Sequence, residues 1–305
     1  MTGSVGAELL QSFSNAVAQL AEGVSRSVVN VNTGRRSGTG LVWSSDGLIV
    51  TASHVVGRAE SPTVTLSDGR ELPAKVVGGD RYTDVALLKV EATGLEPLDS
   101  GNPGETKVGQ FVLALANAFG KKASATSGIV TSHGRSMRGW WGAVIEEAVI
   151  SDAKLNPGYS GGPLVDASGR LLGMNVAYFA GRGVAVPVHA LGEIVSKLSR
   201  DGRVKQGFLG VVVEPIELPR EIADRAEVGQ ETGLLVRSVE ERTPAKAAGV
   251  FIGDIIVRLG DTKAVDEYQL HKALSSEVVG KQVSLWVLRG GSPTELRVTP
   301  MEMTE

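Results

Sequence analysis

Between residues 28 and 187 the chain alternates short β-rich apolar runs with turn residues, and none of these runs acquires a helical period. VVNVN, TGLVW, GLIVTA, TVTLSDG, VALLKV, QFVLALA, SGIVTS, RLLGMNVAYF and GVAVPV all read as strands. Several are separated by Asp-Gly or Ser-Gly pairs, the usual hairpin signal. About a dozen strands without intervening helices predict two all-β barrels rather than a βαβ sheet. The flanks differ. Residues 7–24 set Leu9, Phe13, Val17, Leu20 and Val24 at spacings of four and three, one apolar face of a helix. No second helix lies beside it in sequence, so that stripe must pack on the body or on another subunit. Residues 188–200, VHALGEIVSKLSR, form a short amphipathic helix, and the polar, glycine-flanked DGRVKQG at 201–207 reads as a linker. From 208 onward strands FLGVVVE, GLLVRSV, DIIVRLG and VSLWVLRG alternate with helical segments around 244–248 and 266–276. Asp266 is the expected N-cap of the second. This is a mixed α+β domain of about 95 residues. The expected organisation is a helical segment at 1–24, a β domain at 25–200, the linker, and a second domain at 208–303.

Composition narrows what these domains do. Apolar residues at 42% and charged residues at 21% describe an ordinary globular protein long enough for two or three domains. The 39 glycines, many in pairs or beside Ser, Asp or Asn, fit many tight turns. A formal charge of −3 with mixed signs leaves no electrostatic footprint for nucleic acid. The absence of cysteine removes disulfides, thiol nucleophiles and thiolate metal sites. No apolar run approaches the roughly 18 residues of a membrane span. The first basic residue is Arg26, so a charged and then apolar leader pattern is missing. Both a cytosolic chain and an envelope protein with its leader removed fit that pattern.

The chemistry concentrates in LNPGYSGGPLV at 155–165, where Ser160 allows three readings. G-x-S-x-G is the nucleophile elbow of α/β-hydrolases, which needs a helix directly after the serine. The following GGPLVDASGRLLG forbids one, through two glycines and a proline. An ordinary turn serine is the second reading. The third is the oxyanion turn G-x-S-G-G-P of chymotrypsin-like proteases, which needs a histidine and then an aspartate earlier in the chain. TASHVV places His54 just after the strand GLIVTA, and Asp84 opens DVALLKV at a strand mouth, 76 residues before Ser160. Singly each piece is weak; the order and spacing together favour the third reading.

With these residues in hand, the chain resembles the HtrA-type serine proteases, a trypsin-like domain followed by one PDZ domain. TASHVV, DVALLKV and NPGYSGGP stand where the family carries its His, Asp and Ser motifs. ANAFGKKASATSGIVTSHGRS at 116–136 and GVAVPV match further family segments, and the similarity spans about 24–303. The resemblance implies a trypsin-like double barrel at 25–200 and a PDZ domain at 208–303. His54 would be general base and Asp84 would hold its tautomer. Ser160 would be the nucleophile, in an oxyanion turn of Gly158, Tyr159 and Ser160 whose N–H donors come from Gly158 and Ser160. In HtrA relatives that peptide can flip and switch the enzyme off. Tyr159 departs from the family's usual asparagine. S1 pocket candidates are Lys154, six residues before the nucleophile, with Leu155, Asn175 and Val176. Lys154 would favour acidic P1 residues, whereas relatives prefer small aliphatic ones.

GFLGV at 207–211 resembles the carboxylate-binding turn of PDZ domains. Phe208, Leu209, Gly210 and Val211 would capture a hydrophobic C-terminus, with Leu270 and Leu274 facing either the groove or the core. Trp140 and Trp141 fall where relatives carry a regulatory loop. No cofactor or metal is implied; His133, His189 and His271 lack a ligand pattern. The expected partners are unfolded polypeptides, hydrophobic C-terminal peptides and further copies of the chain, most simply a trimer. The competing function class is a PDZ-bearing holdase or adaptor whose protease site is idle.

Overall fold

The computed structural model describes residues 2–120, 122–138, 144–179, 181–204, 206–226 and 228–302. It divides into two compact units, Met1–Val204 and Lys205–Glu305. The first unit opens with helix α1 (Thr2–Ser25). Strands β1 (Val28–Asn32), β2 (Ser37–Val42), β3 (Leu48–Ala52), β4 (Thr63–Thr65), β5 (Glu71–Asp80) and β6 (Val85–Val90) follow. They close an antiparallel barrel in the order β1-β2-β3-β6-β5-β4. A second barrel, in the order β10-β11-β12-β9-β8-β7, is built from β7 (Phe111–Ala116), β8 (Ser124–Arg138), β9 (Val144–Ser151), β10 (Pro163–Asp166), β11 (Leu171–Phe179) and β12 (Arg182–Pro187). The two-barrel architecture is the one the strand pattern predicts. Two short helical elements matter here: α2 (Ser53–Val56) directly after β3, and α3 (Val188–Asp201) after β12.

The period of two along a strand explains why the barrels pack as they do. On β3 and β6, Ile49, Ala86 and Leu88 point into the first barrel with Val29, Val31 and Val64. The alternate residues Val50, Val85 and Leu87 point the other way, onto Met174, Val176, Val184 and Val186 of the second barrel. Leu191, Ile194 and Leu198 of α3 join that same cluster. The two barrels therefore share one apolar seam.

Only part of the N-terminal stripe is covered. Val17, Leu20, Ala21 and Val24 pack with Val28, Leu113, Leu115 and Val165. The Phe13 ring meets Phe111 edge-on at 5.8 Å, yet Phe13 remains 57% exposed and Leu9 67%. Among the described residues no helix is long and apolar enough to cross a membrane. Trp140 and Trp141 lie outside the described residues.

In the second unit β14 (Val211–Glu217), β15 (Thr232–Val239), β16 (Ile255–Leu259), β18 (Val283–Arg289) and β19 (Ser292–Val298) form a sheet in that order. The short β17 (Thr262–Lys263) pairs with β16, and β13 (Gly207–Phe208) pairs with β20 (Met301–Glu302). Helices α4 (Arg220–Arg225), α5 (Pro244–Ala247) and α6 (Glu267–Ala273) complete it. Asp266 caps α6 by accepting the Gln269 N–H at 2.8 Å. The helix stops at Ala273, three residues short of the apolar pattern's end, because Leu274 leaves helical geometry.

Candidate active site

His54 and Asp84 are carried by the first barrel, and Ser160 by the loop that leads into β10 of the second. His54 lies in α2, two residues past the end of β3; Asp84 immediately precedes β6, which pairs with β3. The Asp84 backbone is left-handed, at φ +58°, a region that aspartate tolerates better than bulkier residues. This turn lets one carboxylate grip His54 twice. Oδ2 lies 2.6 Å from the imidazole Nδ1, and Oδ1 accepts the His54 main-chain N–H at 2.9 Å. The Asp84 carbonyl also accepts the Ser53 N–H at 3.0 Å, so Asp84 anchors the first turn of α2. Side-chain exposure is 13% for Asp84 and 34% for His54. The carboxylate sits behind the ring while the ring's other edge is open. With Nδ1–H donated to Asp84, Nε2 is left as the proton acceptor.

Ser160 belongs to the loop before β10. Its Oγ–H donates to the Val176 carbonyl at 3.3 Å, and no hydrogen bond joins it to His54. Such a long O–H···O contact is weak. The Ser160 carbonyl is firmly held, accepting the Thr39 N–H at 3.1 Å. Thr39, at 0% exposure on β2, is the main staple between the barrels. Its Oγ1–H donates to the Gly158 carbonyl at 2.6 Å, its Oγ1 accepts the Asn117 N–H at 2.9 Å, and its carbonyl accepts the Thr51 hydroxyl at 2.6 Å. A Cβ on Gly161 would lie 1.9 Å from the Thr39 carbonyl oxygen, so only glycine allows this approach. Gly158 is constrained in two ways. Its φ is +93°, and a Cβ there would meet the Ala118 Cβ at 2.3 Å. Among the described residues the N–H groups of Gly158 and Ser160 carry no hydrogen bond, which leaves both free for an incoming oxyanion.

The neighbouring candidates fall into distinct places. Tyr159 is 4% exposed and packs inside the second barrel with Val112, Val130, Leu155 and Leu164; burial raises its phenol pKa. Leu155 is buried in the same cluster, and Val176 lies in the seam between barrels. Asn175 is fully buried, and its amide donates to the carbonyls of Gly162 and Pro163 at 3.1 and 3.0 Å. It braces the nucleophile loop and offers no donor to a pocket. Lys154 is exposed. Asp152, its neighbour in sequence, accepts the Ile129 N–H at 2.7 Å. Thr39 and Thr51 were not singled out from the sequence. The glycines on either side of Thr39 are the signal that marks a close approach there.

Beside His54 opens a cavity of about 790 Å³ lined by the β1–β2 turn, α2 and the residues before β6. Among the described residues no group of three His, Cys, Asp or Glu side chains is placed to hold a metal. His189 instead pairs with Glu147 at 3.0 Å on the surface, and His133 lies on β8.

In the second unit β14 is an edge strand, paired only with β15, and α6 packs beside it. Val211 starts β14. Just before it, the carbonyls of Leu209 and Gly210 accept the N–H groups of Ala245 and Glu240, each at 2.9 Å. Leu209, Leu270 and Leu274 are all buried in the core, so Leu270 of α6 and Leu274 just after it face inward and not into a groove.

Comparison with known proteins follows the same division. A trypsin-like peptidase domain model matches residues 38–174 and a PDZ domain model residues 207–299. A probable periplasmic serine endoprotease, DegP-like, of Halomonas elongata is 36% identical over 272 residues, 87% of this chain and 56% of the relative. The chain thus spans a little over half the length of the curated relatives it matches. Among solved structures, the HtrA-type protease AlgW with tripeptide superposes with a TM-score of 0.79 at 31% identity, covering 96% of this chain and 98% of that one. A serine endoprotease from Yersinia pestis gives 0.76 at 29% identity, over 95% and 98%. With both domains matched in order and AlgW covered nearly end to end, the chain belongs to the HtrA-type proteases.

Proposed function

We propose that this chain is a serine endopeptidase acting on unfolded or damaged polypeptides, without ATP or metal. The observation that carries the reading is the double grip of Asp84 on His54, which fixes the tautomer a general base needs. In the reaction Ser160 Oγ rotates off the Val176 carbonyl and attacks the peptide carbonyl carbon while His54 Nε2 takes its proton. The carbonyl oxygen becomes an oxyanion facing the Gly158 and Ser160 N–H groups, each worth roughly 3 kcal/mol of barrier. His54 then gives the proton to the leaving amine, and water repeats the sequence to release the acyl group. The P1 side chain is a small aliphatic one, Val, Ala, Leu or Ile. Support for this is the apolar character of Leu155 and Val176, the latter with its carbonyl next to Ser160 Oγ, together with the exposed position of Lys154.

The second unit is proposed to bind hydrophobic C-terminal peptides by adding a strand to the open edge of β14, and to tune turnover. The uncovered Leu9 and Phe13 support assembly into a homo-oligomer through α1, in keeping with the expected trimer. Unfolded casein tests the central claim: the chain cleaves it and Ser160→Ala does not. A Ser160→Ala protein that still cuts removes the triad, and a parent chain that binds casein without cutting makes the protein a holdase.

A further inference from the structure

The cavity beside His54 is lined by Arg35, Arg36, Arg58 and Arg81, and by a single carboxylate, that of Asp84. Both oxygens of Asp84 are already engaged by His54. Among the described residues none of the four guanidinium groups has a carboxylate partner. A chain with 34 acidic against 31 basic residues therefore gathers four unpaired arginines in one concave place. Clustered like charges destabilise a fold unless something neutralises them. Their placement is also directed: Arg36 donates from Nη1 to the His54 main-chain carbonyl, which holds its guanidinium beside the α2 backbone. Guanidinium is the group that recognises planar carboxylates with two parallel donors.

We infer that this cavity is a substrate subsite that takes acidic side chains of the polypeptide within two residues of the cleaved bond, P1 itself excepted. The inference rests on the endopeptidase reading and gives it a specificity. Because His54 must reach the scissile amide and also lines the cavity, a bound chain passes the cavity mouth at the point of cleavage. Extended backbone advances about 3.3–3.6 Å per residue, so two residues on either side lie within reach of the arginine side chains. In the proposed reading the P1 side chain goes elsewhere, to the second barrel.

The test is a peptide series with one aliphatic P1 residue in which Asp, Asn or Lys is placed in turn at P3 to P3′. Each kcat/KM is divided by that of the all-neutral peptide from the same enzyme preparation. Expected is an Asp-over-Asn preference of about fivefold or more at one or more of P2, P1′ and P2′ in low salt, as exposed ion pairs in combination supply. It should fall towards one in about 0.5 M salt, where the screening length is only a few ångströms. Arg58→Glu and Arg35→Glu should each invert the preference towards Lys, the neutral peptide serving as internal reference for a folded, active enzyme. The position of the preferred Asp tells which side of the bond the cavity serves. Equal rates for Asp and Asn at all these positions overturn the inference, as does an acidic preference confined to P1 and abolished by Lys154→Ala. Failure to cut any peptide, the neutral one included, refutes the endopeptidase reading instead.

Discussion

Replacing Thr39 by valine tests whether one buried hydroxyl holds the nucleophile loop against the first barrel. The substitution keeps shape and volume but removes an oxygen that donates to Gly158 O at 2.6 Å and accepts from Asn117 N at 2.9 Å. Thr39 is 0% exposed, so water does not replace it. Two main-chain groups then lose their partner in a dry place, each at about 1–3 kcal/mol, or about 2–6 kcal/mol together. For a unit of about 200 residues this lowers the melting temperature by roughly 5–20 °C. The catalytic effect is separate. Freed from Thr39, the peptide after Gly158 relaxes and carries the oxyanion donors with it; displacements of that kind cost about 10- to 100-fold in rate. We expect kcat on labelled casein to fall by that factor with KM little changed, per active site counted by a serine-directed covalent inhibitor. Thr39→Ser, which keeps the hydroxyl, should recover most of the rate. A valine variant with kcat within twofold of the parent and an unshifted melting curve refutes the staple.

Asp84→Asn should lower kcat by about 10⁴-fold, because an amide holds the imidazole in the wrong tautomer; a loss under tenfold in steady-state hydrolysis contradicts the assigned role. Tyr159 has its phenol pKa raised by burial above its ordinary 10.0. Its folded state thus favours the protonated form. The stability this contributes is intact below pH about 10 and lost as pH rises through the folded value. Denaturant midpoints should fall above pH 10, and Tyr159→Phe should flatten that fall. In the second unit the Asp254 carboxylate is 2% exposed and is held bidentately by Arg289, at 2.9 and 2.8 Å. Asp254→Asn should cost about 2–3 kcal/mol in chemical denaturation of the full chain, less than breaking a fully buried pair because Arg289 is 36% exposed. Leu9→Ser with Phe13→Ser should reduce the mass seen by light scattering to that of a single chain; an unchanged mass, or a parent chain that is already monomeric, removes α1 as the assembly surface.

Strand rhythm made the architecture legible, and the order His, Asp, Ser pointed to the candidate site, because both are written in residue type and spacing. Side-chain direction is not written that way. Lys154 stands six residues before the nucleophile and yet is exposed, while its neighbour Leu155 is buried: adjacent residues in extended backbone face opposite ways. Asn175 was a pocket candidate by position, and its amide turned out to be spent on the carbonyls of Gly162 and Pro163. Leu270 and Leu274 left groove and core equally open, and four-residue spacing on a helix cannot say which; packing against Leu209 and Val236 settles it for the core. The arginine cavity was invisible for a similar reason. Arg35, Arg36, Arg58 and Arg81 are spread over three segments, and closure of the first barrel gathers them.

The proposed site lacks one hydrogen bond, that between Ser160 and His54, and the partners of Ser160 bear on how it could form. Three contacts hold the loop around Ser160: its carbonyl accepts the Thr39 N–H, the Gly158 carbonyl accepts the Thr39 hydroxyl, and the Gly161 N–H donates to the Asn175 carbonyl at 2.7 Å. The general base is held as firmly by Asp84. What remains free is one side-chain torsion of Ser160, restrained by a 3.3 Å contact to the Val176 carbonyl. A hydrogen bond of that length contributes less than about 1 kcal/mol, so the Val176 contact is only a weak restraint on turning Oγ towards His54 Nε2. Catalytic hydrogen bonds often tighten only once substrate is bound. Val176 gains a second meaning from this. Its carbonyl lies on β11, beside the nucleophile, and a substrate chain that takes up that carbonyl as a strand partner would release the serine at the moment of binding.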